Sequence, residues 1–180
     1  MQIFITGASG YIGGSVANAL VAAGHSVSGL ARSPETAEAL AARGIAPVRG
    51  TLDDADAIAA AAQAADVTIG AANADHCASA ATIVKALAGS GKTFLHTSGS
   101  SIVGTQANGE FVPAIFDEDT PFTPSPARAA RVAIDTMVRC AEGMRGIVIA
   151  PSLIYGRGHG IHSDSVQVPW LIALARKAGI

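Results

Sequence analysis

The chain has 180 residues, 49% of them apolar and only 14% charged, with a net charge of −2 and a pI near 6.2. That length fits a single α/β domain over residues 1–180, burying roughly 70% of the surface its unfolded chain would expose. With no basic run and a slightly acidic balance, nucleic acid and anionic membrane are poor partners.

The first thirty residues read as strand, glycine turn, helix and second strand. Gln2-Ile3-Phe4-Ile5-Thr6 is a short apolar run that stops at Gly7-Ala8-Ser9-Gly10-Tyr11-Ile12-Gly13-Gly14. Val16, Ala19, Leu20 and Ala23 then recur at helical spacing, Gly24 ends the helix, and Val27 to Leu30 begins the second strand. Gly7, Gly10 and Gly13 are spaced G-x-x-G-x-x-G, one residue longer at the first gap than the dinucleotide fingerprint. A turn of this kind suits a pyrophosphate, because glycine admits the ligand to the backbone and the helix N-terminus offers free N–H groups and a positive dipole end.

Strand and helix keep alternating. A helix over 35–43 has Pro34 in its first turn, and Ile45 to Val48 is a third strand. Residues 54–65 form a helix, 67–71 a fourth strand, 75–88 a helix and 93–97 a fifth strand. This pattern predicts a doubly wound parallel sheet with ligands at the carboxyl ends of its strands. From Gly99 to Pro126 it breaks into Ser, Gly and Pro, a long connection of the functional or mobile sort. A helix over 127–141, a sixth strand over 146–150 and a last apolar helix over 168–178 follow.

Cys77 and Cys140 lie in helical segments without metal spacing, which suits reduced thiols in a cytoplasmic chain. The N-terminal apolar run is too short for a signal peptide, and no stretch reaches transmembrane length. His159 and His162 would share a face only on a helix, which Gly158 and Gly160 oppose, so no metal site is expected. His96 reads as a satisfied core histidine, and Asp135 as an exposed or helix-pairing acid.

The second strand ends in Ala31-Arg32-Ser33, with no acid to take the ribose hydroxyls of NAD. Arg32, with Ser33 beside it, is free to face a 2′-phosphate, so NADP is favoured over NAD.

Thr6 to Gly13, including Ser9, Tyr11 and Ile12, closely resembles the cofactor loop of the short-chain dehydrogenase/reductase superfamily, in its extended (epimerase/dehydratase-like) and atypical branches. Gly50-Thr51-Leu52-Asp53-Asp54 resembles the segment whose Asp-Leu pair lies against adenine, with Thr51 in the Asp place. Gly70-Ala71-Ala72 is similar to the small-residue end of the fourth strand beside the ribose and pyrophosphate. The runs Glu118 to Pro126 and Pro151 to Gly156 extend the likeness over essentially the whole chain. The resemblance implies a Rossmann-type NAD(P)-binding fold whose C-terminal substrate subdomain is largely absent, and it adds Thr97 and Pro151 to the cofactor set.

In that family a Ser or Thr orients the substrate oxygen, a Tyr transfers the proton, and a Lys four residues later lowers the Tyr pKa and binds the nicotinamide ribose. On Ser125-Pro126-Ala127-Arg128-Ala129-Ala130-Arg131 the motif puts Ala127 in the Tyr place and Arg131 in the Lys place. Arg131 can hold ribose hydroxyls as a fixed cation but is no ordinary acid. The Ser position falls on or beside Gly99, leaving Ser98 or Ser100 to supply a hydroxyl and Tyr155 as a further neighbour. The resemblance therefore implies an NADP-binding oxidoreductase or epimerase-like enzyme for a small carbonyl or sugar-like substrate, or alternatively a catalytically silent dinucleotide sensor or scaffold. It also implies a homo-oligomer pairing through the 127–141 helix, where Ala129, Val132, Ala133, Thr136 and Met137 give a small-residue face.

Overall fold

The computed structural model describes residues 1–104, 107–108 and 110–179. Its elements, in chain order, are β1 (Gln2–Thr6), α1 (Tyr11–Ala22), β2 (Ser26–Ala31), α2 (Pro34–Ala41), β3 (Ile45–Arg49), α3 (Ala55–Ala64), β4 (Val67–Gly70), α4 (Cys77–Leu87), β5 (Thr93–Thr97), a 3₁₀ turn (Ser100–Val103), α5 (Pro126–Arg139), β6 (Arg145–Ile149) and α6 (Gln167–Ala178).

The six strands form one parallel sheet in the order β3-β2-β1-β4-β5-β6. Successive side chains of β1 alternate between its faces, and both faces are covered. Ile3 and Ile5 join Ala17, Val27, Leu40 and Ile45 in one core, whereas Phe4 belongs to the other with Ile58, Ile83, Leu87, Phe94, Ile134 and Val138. Helices α1 and α2 thus cover one face and α3, α4 and α5 the other, giving the Rossmann-type α/β fold.

Element boundaries depart from expectation where local polar chemistry intervenes. Helix α4 starts at Cys77, not Asp75, because His76 accepts a hydrogen bond from the Ser79 amide and Asn73 takes the amide of Asp75 into a turn. Helix α5 starts at Pro126, whose fixed φ suits a first helical position.

One glycine sets how closely α5 lies on the sheet. A Cβ at Gly146 would sit 1.8 Å from the Val138 carbonyl oxygen, so only glycine lets the helix end and β6 cross there. Beyond β6 the chain turns back over α1. Tyr11 donates its hydroxyl to the Gly156 carbonyl at 3.0 Å, Ser15 accepts from the His159 amide at 3.0 Å, and Asn18 donates to the His159 carbonyl. By contrast α6 buries no residue, and Trp170, Leu171, Ile172 and Leu174 are all exposed. Among the described residues no helix is long and apolar enough to cross a membrane.

Candidate active site

Strand order reverses direction between β1 and β4, and the chain leaves the sheet there to opposite faces. That arrangement opens a crevice at the carboxyl ends of the strands. A cleft of about 550 Å³ occupies it, walled by Gly10, Tyr11 and Ile12 from the first turn, Ala71 and Ala72 after β4, Ser98 to Ser101 after β5, Arg131 on α5, and Pro151 to Ile154 after β6.

The glycine turn is closed by a backbone hydrogen bond from the Gly10 amide to the Gly7 carbonyl at 2.9 Å and shaped by close approach. Gly7 has φ +81°, and a Cβ at Gly13 would fall 2.3 Å from the Gly7 carbonyl oxygen, so α1 packs directly on the turn. At Gly10 an added Cβ would meet only that same oxygen, at 3.2 Å. Gly10 is the N-cap of α1 and no side chain among the described residues caps the helix, whose first N–H groups have no intrahelical partners and lie at the cleft wall. A bare backbone and an uncapped positive helix end are what a pyrophosphate requires, so the residues present fit a dinucleotide.

A second depression opens at the ends of β2 and β3, lined by Arg32, Arg49, Gly50, Thr51, Asp53 and Asp54. Arg32 is exposed there. Arg49 joins it because β3 is paired in register with β2, Ala31 against Arg49. Ser33 is placed differently, since its hydroxyl caps α2 by accepting from the Thr36 amide at 3.2 Å. Thr51 accepts from the Asp53 amide, and Leu52 lines a small cavity behind Ala72 and His96.

The catalytic candidates separate. Ser98 and Ser100 both reach the cleft; the backbone holds them there, as the Ser98 amide bonds the Ile149 carbonyl at 2.8 Å and the Ser100 amide the Pro151 carbonyl at 2.9 Å. Thr97, at the end of β5, pairs with Ile149 of β6. Tyr155 is 71% exposed and is not among the residues lining the cleft, and neither is Ala127. Arg131 lines the cleft, but its guanidinium holds Asp75, Nε to Oδ1 at 2.8 Å and the second nitrogen to Oδ2. This hydrogen-bonded pairing lowers the Asp75 carboxyl below the usual carboxylate range and raises the Arg131 guanidinium.

Two residues differ from the sequence reading. Asp135 is not exposed; it is 5% accessible and accepts a 2.7 Å hydrogen bond from Ser98. His96 is buried, yet among the described residues its Nε2 has no hydrogen-bond partner, and it stands 3.8 Å from Asp135 Oδ1. Burial pushes the His96 imidazole below its ordinary pKa, and the Asp135 carboxylate opposes that shift only in part. The helical period carried the missed signal, because Asp135 lies on the inward stripe with Ile134 and Val138.

The model of the NAD dependent epimerase/dehydratase family matches residues 3–179. The chain belongs to that family. An uncharacterized protein of Schizosaccharomyces pombe is 31% identical over 192 residues, covering 100% of this chain and 61% of its own length. The oxidase ucsJ of Acremonium is 34% identical over 185 residues, covering 89% of this chain and 52% of its own. The chain thus spans little more than half the length of these curated relatives. Among solved structures, the Bordetella bronchiseptica enzyme WbmH in complex with NAD+ superposes with a TM-score of 0.72 at 17% identity, covering 99% of this chain and 62% of that one. Yeast methylglyoxal/isovaleraldehyde reductase complexed with NADPH superposes with a TM-score of 0.64 at 19% identity, covering 88% and 57%. At these identities the structures share the epimerase/dehydratase fold.

Proposed function

We propose that this epimerase/dehydratase-family chain binds a nicotinamide dinucleotide along the carboxyl edge of its sheet, NADPH in preference to NADH, and serves hydride transfer to a small carbonyl or sugar-like substrate. The uncapped N-terminus of α1, opening on the switch-point cleft, carries this reading. Gly10, Tyr11 and Ile12 would hold the pyrophosphate, and Arg32 with Arg49 the 2′-phosphate. Ala71, Ala72 and Pro151 would flank the ribose and nicotinamide. The dinucleotide supplies the hydride; the chain binds it, orients the substrate oxygen from Ser98 or Ser100, and controls the proton. The relative named as an oxidase, and a solved reductase of the same fold, support the reading.

A second reading is favoured by one observation. Arg131, which would hold the nicotinamide ribose, is taken by Asp75, and Ala127 offers no phenol. A dinucleotide sensor or scaffold without turnover would have such a site.

Titrating NADPH and NADH into the protein and following nicotinamide fluorescence tests the proposal, with methylglyoxal then added as a carbonyl probe. Tighter NADPH binding followed by its oxidation is expected. Tight binding without oxidation of either cofactor favours the sensor, and absence of binding overturns both readings.

A further inference from the structure

Ser98, Asp135 and His96 form a line from the cleft into the core. All three are buried, at 8%, 5% and 4% exposure. Ser98 lines the cleft and bonds Asp135 Oδ2 at 2.7 Å. On the inner side Asp135 Oδ1 and His96 Nε2 face one another at 3.8 Å, and neither has a hydrogen-bond partner among the described residues. Two buried polar atoms left unpaired are costly, and closing the gap between them onto one proton would satisfy both. The His96 ring also borders a cavity of about 10 Å³ shared with Thr6, Asn73 and Ser79, about the space of one water. Proton-exchanging groups therefore follow one another from the cleft, through Asp135, to a small cavity of mixed lining beside His96.

We propose that Ser98, Asp135 and His96 are a proton relay for a substrate oxygen in the cleft, standing in for the phenol and ammonium that Ala127 and Arg131 do not provide. The proposal rests on the dinucleotide-dependent reading above. In the reducing direction, a bound reduced nicotinamide would supply the hydride to the carbonyl carbon, leaving the carbonyl π pair on the substrate oxygen. With Asp135 entering the step as the carboxylic acid, its proton on Oδ2, the substrate oxygen gains the Ser98 Oγ proton, Ser98 Oγ regains one from Asp135 Oδ2, and Asp135 Oδ1 takes one from His96 Nε2 as those two atoms close to bonding distance. His96 is reprotonated from water, so one proton is consumed for each hydride; oxidation reverses every transfer. Ser98 is the group that would touch substrate, and Asp135 and His96 act through it as positioning residues. Arg131, on the same helix as Asp135, also bears on His96, and it is itself paired with Asp75 from the loop before α4.

The full chain, labelled with ¹⁵N-histidine, tests the relay without any need for turnover. The His96 ring nitrogens are followed from pH 5 to 8 in the unaltered protein, in Asp135→Asn and in Ser98→Ala. The relay requires the titration midpoint or tautomer of His96 to change in both variants, by about half a pH unit or more in Asp135→Asn, which removes a charge one side chain away, and by a smaller but resolved step in Ser98→Ala, which removes only the hydrogen bond to Asp135. No change in either, or a change in Asp135→Asn alone, overturns the relay. Should Asp135→Asn fail to fold, Ser98→Ala and Ser98→Thr decide it: a change in the first, restored in the second, is expected, and none refutes it. NADPH oxidation with methylglyoxal adds a second readout. His96→Gln is expected to lower kcat at least tenfold at unchanged KM and to flatten its pH profile, the loss typical of a displaced acid–base group. Turnover that keeps its kcat and pH profile in His96→Gln overturns the relay as well. Absence of turnover in the unaltered chain counts against the reductase reading and leaves the relay to the ¹⁵N result.

Discussion

Arg131 of α5, which lines the cleft, and Asp75, fifty-six residues earlier, are joined by a two-point hydrogen-bonded ion pair. The pair is partly open to solvent, with the Asp75 side chain half exposed. The guanidinium is thus committed to the protein before any ligand arrives. Releasing it by Asp75→Asn should strengthen NADPH binding up to about fivefold, since a partly exposed pair contributes at most roughly 1 kcal/mol. Fluorescence titration of the two proteins checks this. Weaker binding in the variant would mean that Asp75 aims Arg131 instead of competing for it.

The choice between NADPH and NADH should reside at the ends of β2 and β3. Arg32→Ala is expected to remove most of the preference for NADPH while leaving NADH affinity within about twofold, because only the 2′-phosphate loses a charge-assisted contact. Arg49→Ala should remove a smaller part. Equal affinity of the unaltered protein for the two cofactors would contradict the assignment.

Two glycines of the first turn should respond in opposite ways. An added side chain at Gly10 meets one oxygen at 3.2 Å, whereas one at Gly13 collides at 2.3 Å with the turn on which α1 rests. Gly10→Val should therefore fold and lose cofactor, and Gly13→Val should lose several kcal/mol of stability. Urea denaturation alongside NADPH titration separates the two; a Gly10→Val protein that binds normally would reduce the motif to a turn.

Stability should depend on His96 through pH. Its folded pKa is depressed by burial, so as pH falls the unfolded state takes up this proton first. The contribution is fully present above about pH 6.5, the ordinary histidine value, and is lost progressively below it until the folded pKa is reached. Urea midpoints should fall between pH 7.5 and 5, and less steeply in His96→Gln. Parallel slopes for the two proteins would show that His96 titrates alike folded and unfolded.

Association is expected through exposed small residues of α5, where Ala129, Ala133 and Thr136 face solvent. The exposed Trp170, Leu171 and Leu174 of α6 add apolar surface to the same tendency. Sedimentation should show a concentration-dependent dimer, weakened by Ala133→Glu. A monomer at every concentration would refute it.

How much could be read in advance differs from place to place. The first βαβ unit was legible because its signals are local: Ile3, Phe4 and Ile5 are consecutive, Gly7, Gly10 and Gly13 mark the turn, and the α1 period follows at once. The alternation of six strands and their helices was legible for the same reason, and with it the parallel doubly wound sheet. Helix starts were less so: His76 capping α4 is a matter of one side chain's orientation.

What the amino-acid order by itself determined, then, was the class of fold, the glycine turn and the absence of a tyrosine at Ala127. Only the tertiary structure decided which distant groups meet. Ser98 and Asp135 are 37 residues apart, and they touch because α5 packs on the sheet face over the neighbouring strands β5 and β6, where Gly146 admits the end of the helix. Arg131 finds Asp75 through a loop on a third element. Periodicity assigns a residue to a face of its own helix, but a contact between two elements depends on how closely their backbones approach, and that is set by packing across the whole sheet.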